Sequence, residues 1–264
     1  MKPFKTFFES YKDVFIKEGD DVEVALKEIE DSDTIKNLVI RSSYEGEINL
    51  PNLVTCTGNI LCAMCKTLIL PNLEEVFDLS CNFAQKVDLR SLQDASRSHI
   101  SIHRASDVNL DSLERVHTLE MYGQKEIRLN KLTSGYMFRH SGEVVELPEL
   151  LSAGGRDGFL ELRKARSVDL SKLEASHNNL YLDKVEGHLN LSNLQICKGV
   201  LSCQSATTID VSNLKEFKLI YAHSANEIFI NEEADISKIE APPSCYMNTN
   251  KLKSQKVGRV LSKL

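Results

Sequence analysis

The chain has 264 residues, 27% of them charged and 42% hydrophobic, which is the make-up of a folded chain with a buried core and excludes a disordered one. A formal net charge of −6 argues against a surface devoted to nucleic acid. No apolar run reaches the ~18 residues of a spanning helix, and with no tryptophan and only 6% aromatics the core is left to Leu, Ile, Val, Ala and Cys, in thin layers.

Phe4, Phe7, Phe8, Tyr11, Val14 and Phe15 fall at three- and four-residue steps, which predicts an amphipathic helix from Lys2 to Val14. Lys5, Glu9, Lys12 and Asp13 interrupt its apolar residues, so it does not read as a secretory leader, and a cytoplasmic protein is expected. After the break at Gly19-Asp20-Asp21, the helix formers Ala25, Leu26, Lys27 and Glu28 predict a second short helix over Val22 to Ile29. A stacked repeat needs a lid on its first apolar layer. Residues 1–34 are therefore expected to be a helical N-terminal cap.

From about Ile35 a period takes over. Ile48-Asn49-Leu50 is followed three residues later by Leu53, and the pattern returns at Leu68 to Leu70 with Leu73, Val87 to Leu89 with Leu92, and Val108 to Leu110 with Leu113. It continues at Ile127, Val145, Val168, Leu189 and Ile209, and ends at Ile228-Phe229-Ile230 without its Leu. A second apolar pair stands about half a period away: Ile60 with Cys62, Phe77 with Leu79, Ile100 with Ile102, Leu119 with Met121, Leu160 with Leu162 and Leu180 with Leu182. Alternation with period two is the pattern of a strand buried on one face. The three-residue steps between triplets, as in Leu110, Leu113 and Val116, read as corners.

The predicted fold is mostly β: a parallel β-solenoid over residues 35–240, with about nine coils of roughly 20 residues and two parallel sheets around a dry interior. Past Ile239 the pattern fails at Ala241-Pro242-Pro243, where neither proline can donate a ladder hydrogen bond. Residues 241–264 are expected to be a Pro-rich break and a basic tail carrying Lys251, Lys253, Lys256, Arg259 and Lys263.

The segments LPNLVTCTGNIL, LPNLEEVFDL, VDLSKLEASHNNLYL and LNLSNLQICKGVLSC resemble the leucine-rich-repeat-like solenoids of bacteria and phage, written as LPxLxxVxGxLxL, and more distantly the receptor L domains. The resemblance covers roughly three quarters of the chain. It implies a right-handed β-helix used as an interaction surface. One departure stands out: the asparagine that follows LxLxx in a leucine-rich repeat is Asn82 once and Ala105, Gln124, Ser141, Ala165, Val185 or Ala206 elsewhere, so that ladder is missing and a flattened two-sheet solenoid is expected rather than a horseshoe.

Chemistry is sparse. Cys62-x-x-Cys65 near Cys56 and Cys81 has zinc-like spacing, but these positions, with Cys197 and Cys203, fall on slots that other coils fill with Val, Ala, Ile or Leu, so buried thiols and no metal are expected. No motif for a cofactor occurs, and Gly154-Gly155 reads as a loosened corner in a long repeat. Asp88, Glu146, Asp169 and Asp210, with Asn109 and Asn190, share the outward middle position of one strand, a stripe that Arg128 interrupts. His103 and Arg104, Arg139 and His140, Arg163 and Lys164, and Lys184 are read as recurring at one corner of successive coils.

These two features are the candidate binding residues of a non-enzymatic protein that binds another macromolecule, a protein rather than nucleic acid or membrane, through its flat faces. An alternative is a phage or bacterial inhibitor whose acidic stripe blocks a nucleic-acid enzyme. A third is a polysaccharide-active β-helix. Self-association through an open last coil is also compatible with the pattern.

Overall fold

An alternating triplet can bury its first and third residues only by lying beside the same triplet of the next coil, so the two triplets of each repeat become two walls. The computed structural model describes residues 12–41, 44–155 and 157–249, and the backbone of 255–256. A broad wall runs through the described chain as one 15-stranded sheet. Its coils pair parallel and in register, with Ile60 beside Leu79, Leu79 beside Ile100, Ile100 beside Leu119 and Leu119 beside Phe138.

The narrow wall is built of shorter strands in three hydrogen-bonded groups. The first runs from Glu47–Asn49 to Asp107–Asn109, the second from Glu126–Arg128 to Ser167–Asp169, and the third from Gly187–Asn190 to Tyr246–Thr249 with Gln255–Lys256 added. Between the walls lie Val87, Leu89, Leu92, Ile100 and Ile102, all fully buried, and each buried Leu contributes on the order of 2 kcal/mol.

The protein is a parallel β-solenoid of about twelve turns, where nine were expected. The additional turns lie mainly at the ends, where the Leu signature is absent. Asp13–Ile16 is a strand paired with Asn37–Ile40, not the end of a helix, because Val14 and Ile16 match Leu38 and Ile40 and the ladder outweighs the helical spacing. The rest of that predicted helix, residues 1–11, lies outside the described residues.

Val22–Lys27 is helical as expected, capped by Asp21, whose Oδ1 accepts from Val24 N at 3.1 Å. It is the only α-helix among the described residues, so one six-residue turn of helix replaces the expected helical cap. No helix among the described residues is long and apolar enough to cross a membrane.

At the other end Tyr246–Thr249 pairs with Glu227–Ile230 beyond the two prolines. Pro242 and Pro243 sit in the corner between the walls, where no ladder bond is asked of them. Apart from the backbone of 255–256, the basic tail lies outside the described residues.

Coil length varies most in one place. The corner from narrow to broad wall keeps a fixed pitch: Leu50, Leu53, Cys56; Leu110, Leu113, Val116; Leu170, Leu173, Ser176. Across the middle of the broad wall, two residues separate Val76 from Leu79, four separate Ala95 from Ile100, and six separate Ala153 from Leu160. The register shifts there as β-bulges do.

Gly154 and Gly155 belong to the longest of these bulges, not to a corner; Gly154 has φ +75°, and a Cβ on Gly155 would stand 2.3 Å from the Tyr136 ring. Phe77, paired with Leu79 in the sequence reading, stands opposite the bulges of the neighbouring strands and points out with 57% of its surface exposed, while Leu79 and Cys81 are the inward pair.

Candidate interaction surfaces

The stripe on the narrow wall exists, and its side chains hold the wall's own turns. Asn109, Asp169, Asn190 and Asp210 each accept, through Oδ1, the backbone N–H two residues on: Asp111 at 3.2 Å, Ser171 at 3.1 Å, Ser192 at 3.1 Å and Ser212 at 3.0 Å. These are Asx turns that start the corner. Asp88 is almost wholly buried beneath Arg90, whose Nε donates to both carboxylate oxygens at 3.0 and 3.1 Å, and hydrogen bonding from that guanidinium holds the carboxyl below its ordinary range. Glu146 pairs with Arg128 at 3.2 Å, so the one cation in the stripe is held by it rather than breaking it.

An asparagine ladder is also present, in a different slot from that of leucine-rich repeats. Asn52, Asn72, Asn193 and Asn213 donate to the carbonyls of Glu30, Pro51, Ser171 and Ser192 in the preceding coil, at 2.6–3.1 Å. The recurrent Asn-Leu of LPNL, LSNL and VSNL is its signal in the sequence.

The basic residues do not form one column. His103 with Arg104 and Arg163 with Lys164 do share a corner, directly after the inward Ile102 and Leu162, and Lys184 follows Leu182 in the same way as Lys164. Arg139 lies two residues earlier, on the outer face of the broad wall in register with Glu120 and Glu161, and it binds both, at 3.1 and 3.0 Å. Arg163 reaches the same Glu161 at 2.9 Å and lies over the Tyr181 ring at 4.3 Å. Alternating charges on adjacent strands stabilise the sheet much as cross-strand pairs do elsewhere.

His140 points inward, in register with Met121 and 3% exposed. Its corner is one residue short: three residues separate His140 from Val144, against four between Met121 and Glu126, the register partner of Val144. The imidazole fills the corner, donating from Nδ1 to Met121 O at 3.0 Å, and Gly142 is required beside it because a Cβ there would stand 2.1 Å from Nε2. Burial pushes the His140 pKa down to about 4.

All seven cysteines are free and buried, and Cys62 and Cys81 are neighbours in the same inward slot. Burial raises the Cys56 thiol to about 11 and the Cys197 thiol to about 12, which keeps them protonated. Among the described residues no group of three His, Cys, Asp or Glu side chains is arranged to hold a metal ion.

The outer face of the broad wall has another character. Arg97, in a bulge, and Phe77, opposite it, are exposed beside a depression lined by Glu74, Glu75, Asp94 and Ser98. His117 stacks on Tyr136 with centroids 4.5 Å apart and an interplanar angle of 16°, and Tyr136 Oη accepts from Asp157 N. Phe159 lies under Arg139 at 4.9 Å. Where this wall turns toward the narrow one, Phe83 and Arg104 adopt left-handed backbone, with φ of 65° and 61°, at a cost of about 1 kcal/mol for each non-glycine residue.

Sequence reasoning found Arg104, Arg139 and Arg163 but not the aromatic residues around them. The bulges shift the alternation, so the spacing of Phe77 from Leu79 mimics an inward pair, and Tyr136 falls on no repeat.

No protein-family model matches this chain, and no curated protein and no solved structure matches it. The class its geometry defines is that of the parallel β-solenoids.

Proposed function

We propose that this chain is a non-catalytic binding solenoid that presents the outer face of its broad wall to a protein partner. The observation that carries the reading is where the coils differ in length: insertions in repeat proteins gather on one face, often the binding face, and here they gather in the bulges of the broad wall. Phe77, Arg97, His117 and Tyr136 give that face the aromatic and arginine content of interface cores.

A cytoplasmic location and kinship with the leucine-rich-repeat-like solenoids of bacteria and phage belong to the same reading, resting on seven free, buried cysteines that suit a reducing compartment and on the LPNL-type repeats. The net charge of −6 supports a protein over nucleic acid as the direct ligand.

The two alternatives rest on the narrow wall, and its geometry favours neither. An inhibitor that used the acidic stripe would have to offer carboxylates that already cap turns or pair with Arg90 and Arg128. A glycosidase needs one carboxyl with a raised pKa, whereas that of Asp88 is lowered.

The test is affinity purification from an extract of the host, with partners identified by mass spectrometry. Phe77→Ser combined with Arg97→Glu is expected to lose a partner that both the wild type and His188→Glu, on the narrow wall, retain. Loss with His188→Glu and retention with the double variant would overturn the reading.

A further inference from the structure

Met64, Phe83, Arg104 and Gly123 occupy one slot on four successive coils, each two residues after an inward side chain: Cys62, Cys81, Ile102 and Met121. Gly123 has φ +93°, so the last three of these residues are left-handed. Glycine suits such a slot, yet the chain places a phenylalanine and an arginine there. Both are exposed, Phe83 by 48%, and the guanidinium of Arg104 lies 4.7 Å over the Phe83 ring. Backbone strain of this kind, spent on exposed side chains, is a mark of functional positions.

Lys164 and Lys184 are exposed in the same slot further along the rod, two residues after Leu162 and Leu182, and Lys125 is exposed two residues after Gly123. Among the described residues neither they nor Arg104 are ion-paired. Asp183 and Glu143 share this edge, yet among the described residues none of the four cations has a carboxylate partner, so each is free to meet an opposite charge brought by something else.

We propose that this edge docks an acidic protein surface whose apolar pocket receives Phe83 beside Met64. Aromatic residues, Met and Arg are the types enriched in interface cores, with lysines outside them as a steering rim. A single-stranded nucleic acid would ask for a succession of stacking platforms, and this slot supplies one ring, covered on one side by Arg104. The proposal rests on the binding-solenoid reading and adds a second contact region, with its partner chemistry, to the broad wall.

Fluorescence anisotropy on the full chain tests it with three labelled probes of equal charge: a peptide alternating Glu and Leu, an all-Glu peptide and an oligo-dT. The Glu/Leu peptide is expected to bind tightest, and more weakly as salt rises. Phe83→Ser should weaken it by about tenfold or more. Arg104→Gly should weaken it too, and neither variant should lower the melting temperature. Tighter binding of oligo-dT, no binding of the Glu/Leu peptide, or unchanged binding by Phe83→Ser would each overturn the proposal. Phe77→Ser separates the two ideas: if it abolishes peptide binding while Phe83→Ser does not, the edge fails and the broad-wall reading stands. If the edge binds as expected but Phe77→Ser with Arg97→Glu retains the host partner, the broad-wall reading fails.

Discussion

At His140 a missing residue is replaced by a ring. The imidazole occupies space that a longer corner fills in neighbouring coils, and it does so neutral, with its pKa lowered from about 6.5 to about 4 by burial. In the window between those values the unfolded chain binds a proton that the folded chain does not, so stability falls as pH drops from 6.5 to 4, by on the order of 3 kcal/mol. Urea midpoints at pH 7 and pH 4.5 should differ more in the wild type than in His140→Leu; equal differences would remove this role from His140.

Neighbouring residues with opposite fates test the inward and outward slots. Leu170→Asp puts a charge into the dry interior and is expected to unfold the protein, Asp169→Leu to cost about 1 kcal/mol through its lost turn bond, and Asp169→Asn to be neutral. Thermal melts in which Asp169→Leu is as damaging as Leu170→Asp would contradict the assignment. Leu170 was legible because period two marks it, whereas His140 was not, since a one-residue deletion shows only once its register with Met121 is known.

At the scale of elements, the triplets of the narrow wall and the three-residue corners were readable because both are strictly periodic. Asp13–Ile16 was not, since Phe7, Phe8, Tyr11 and Val14 fit a helical spacing as well as Val14 and Ile16 fit a strand, and only pairing with Asn37–Ile40 decides between them. The bulges were hidden because they break the alternation that reveals a strand. They also state where the fold accepts change: a Gly-Ser insertion after Phe77 should move the urea midpoint little, while the same insertion between Leu70 and Leu73 should lower it strongly by displacing every inward residue of the coil. Equal tolerance at the two sites would mean that the corner pitch does not set the register.

The described coils form a rod about 50 Å long at the usual strand spacing. The antiparallel Gln255–Lys256 closes the last edge of its narrow wall, which blunts the open end that the sequence offered for self-association. Fold class was legible because every coil repeats the same burial problem. The binding face was not, because its residues solve a problem set by a partner and follow no period of the chain. The central claim, that a protein docks on the broad wall, is tested most directly by photo-crosslinking in host extract with a benzophenone side chain at Phe77 or at His188. A discrete adduct from position 77 and none from position 188 is the predicted result. An adduct from position 188 alone would contradict it.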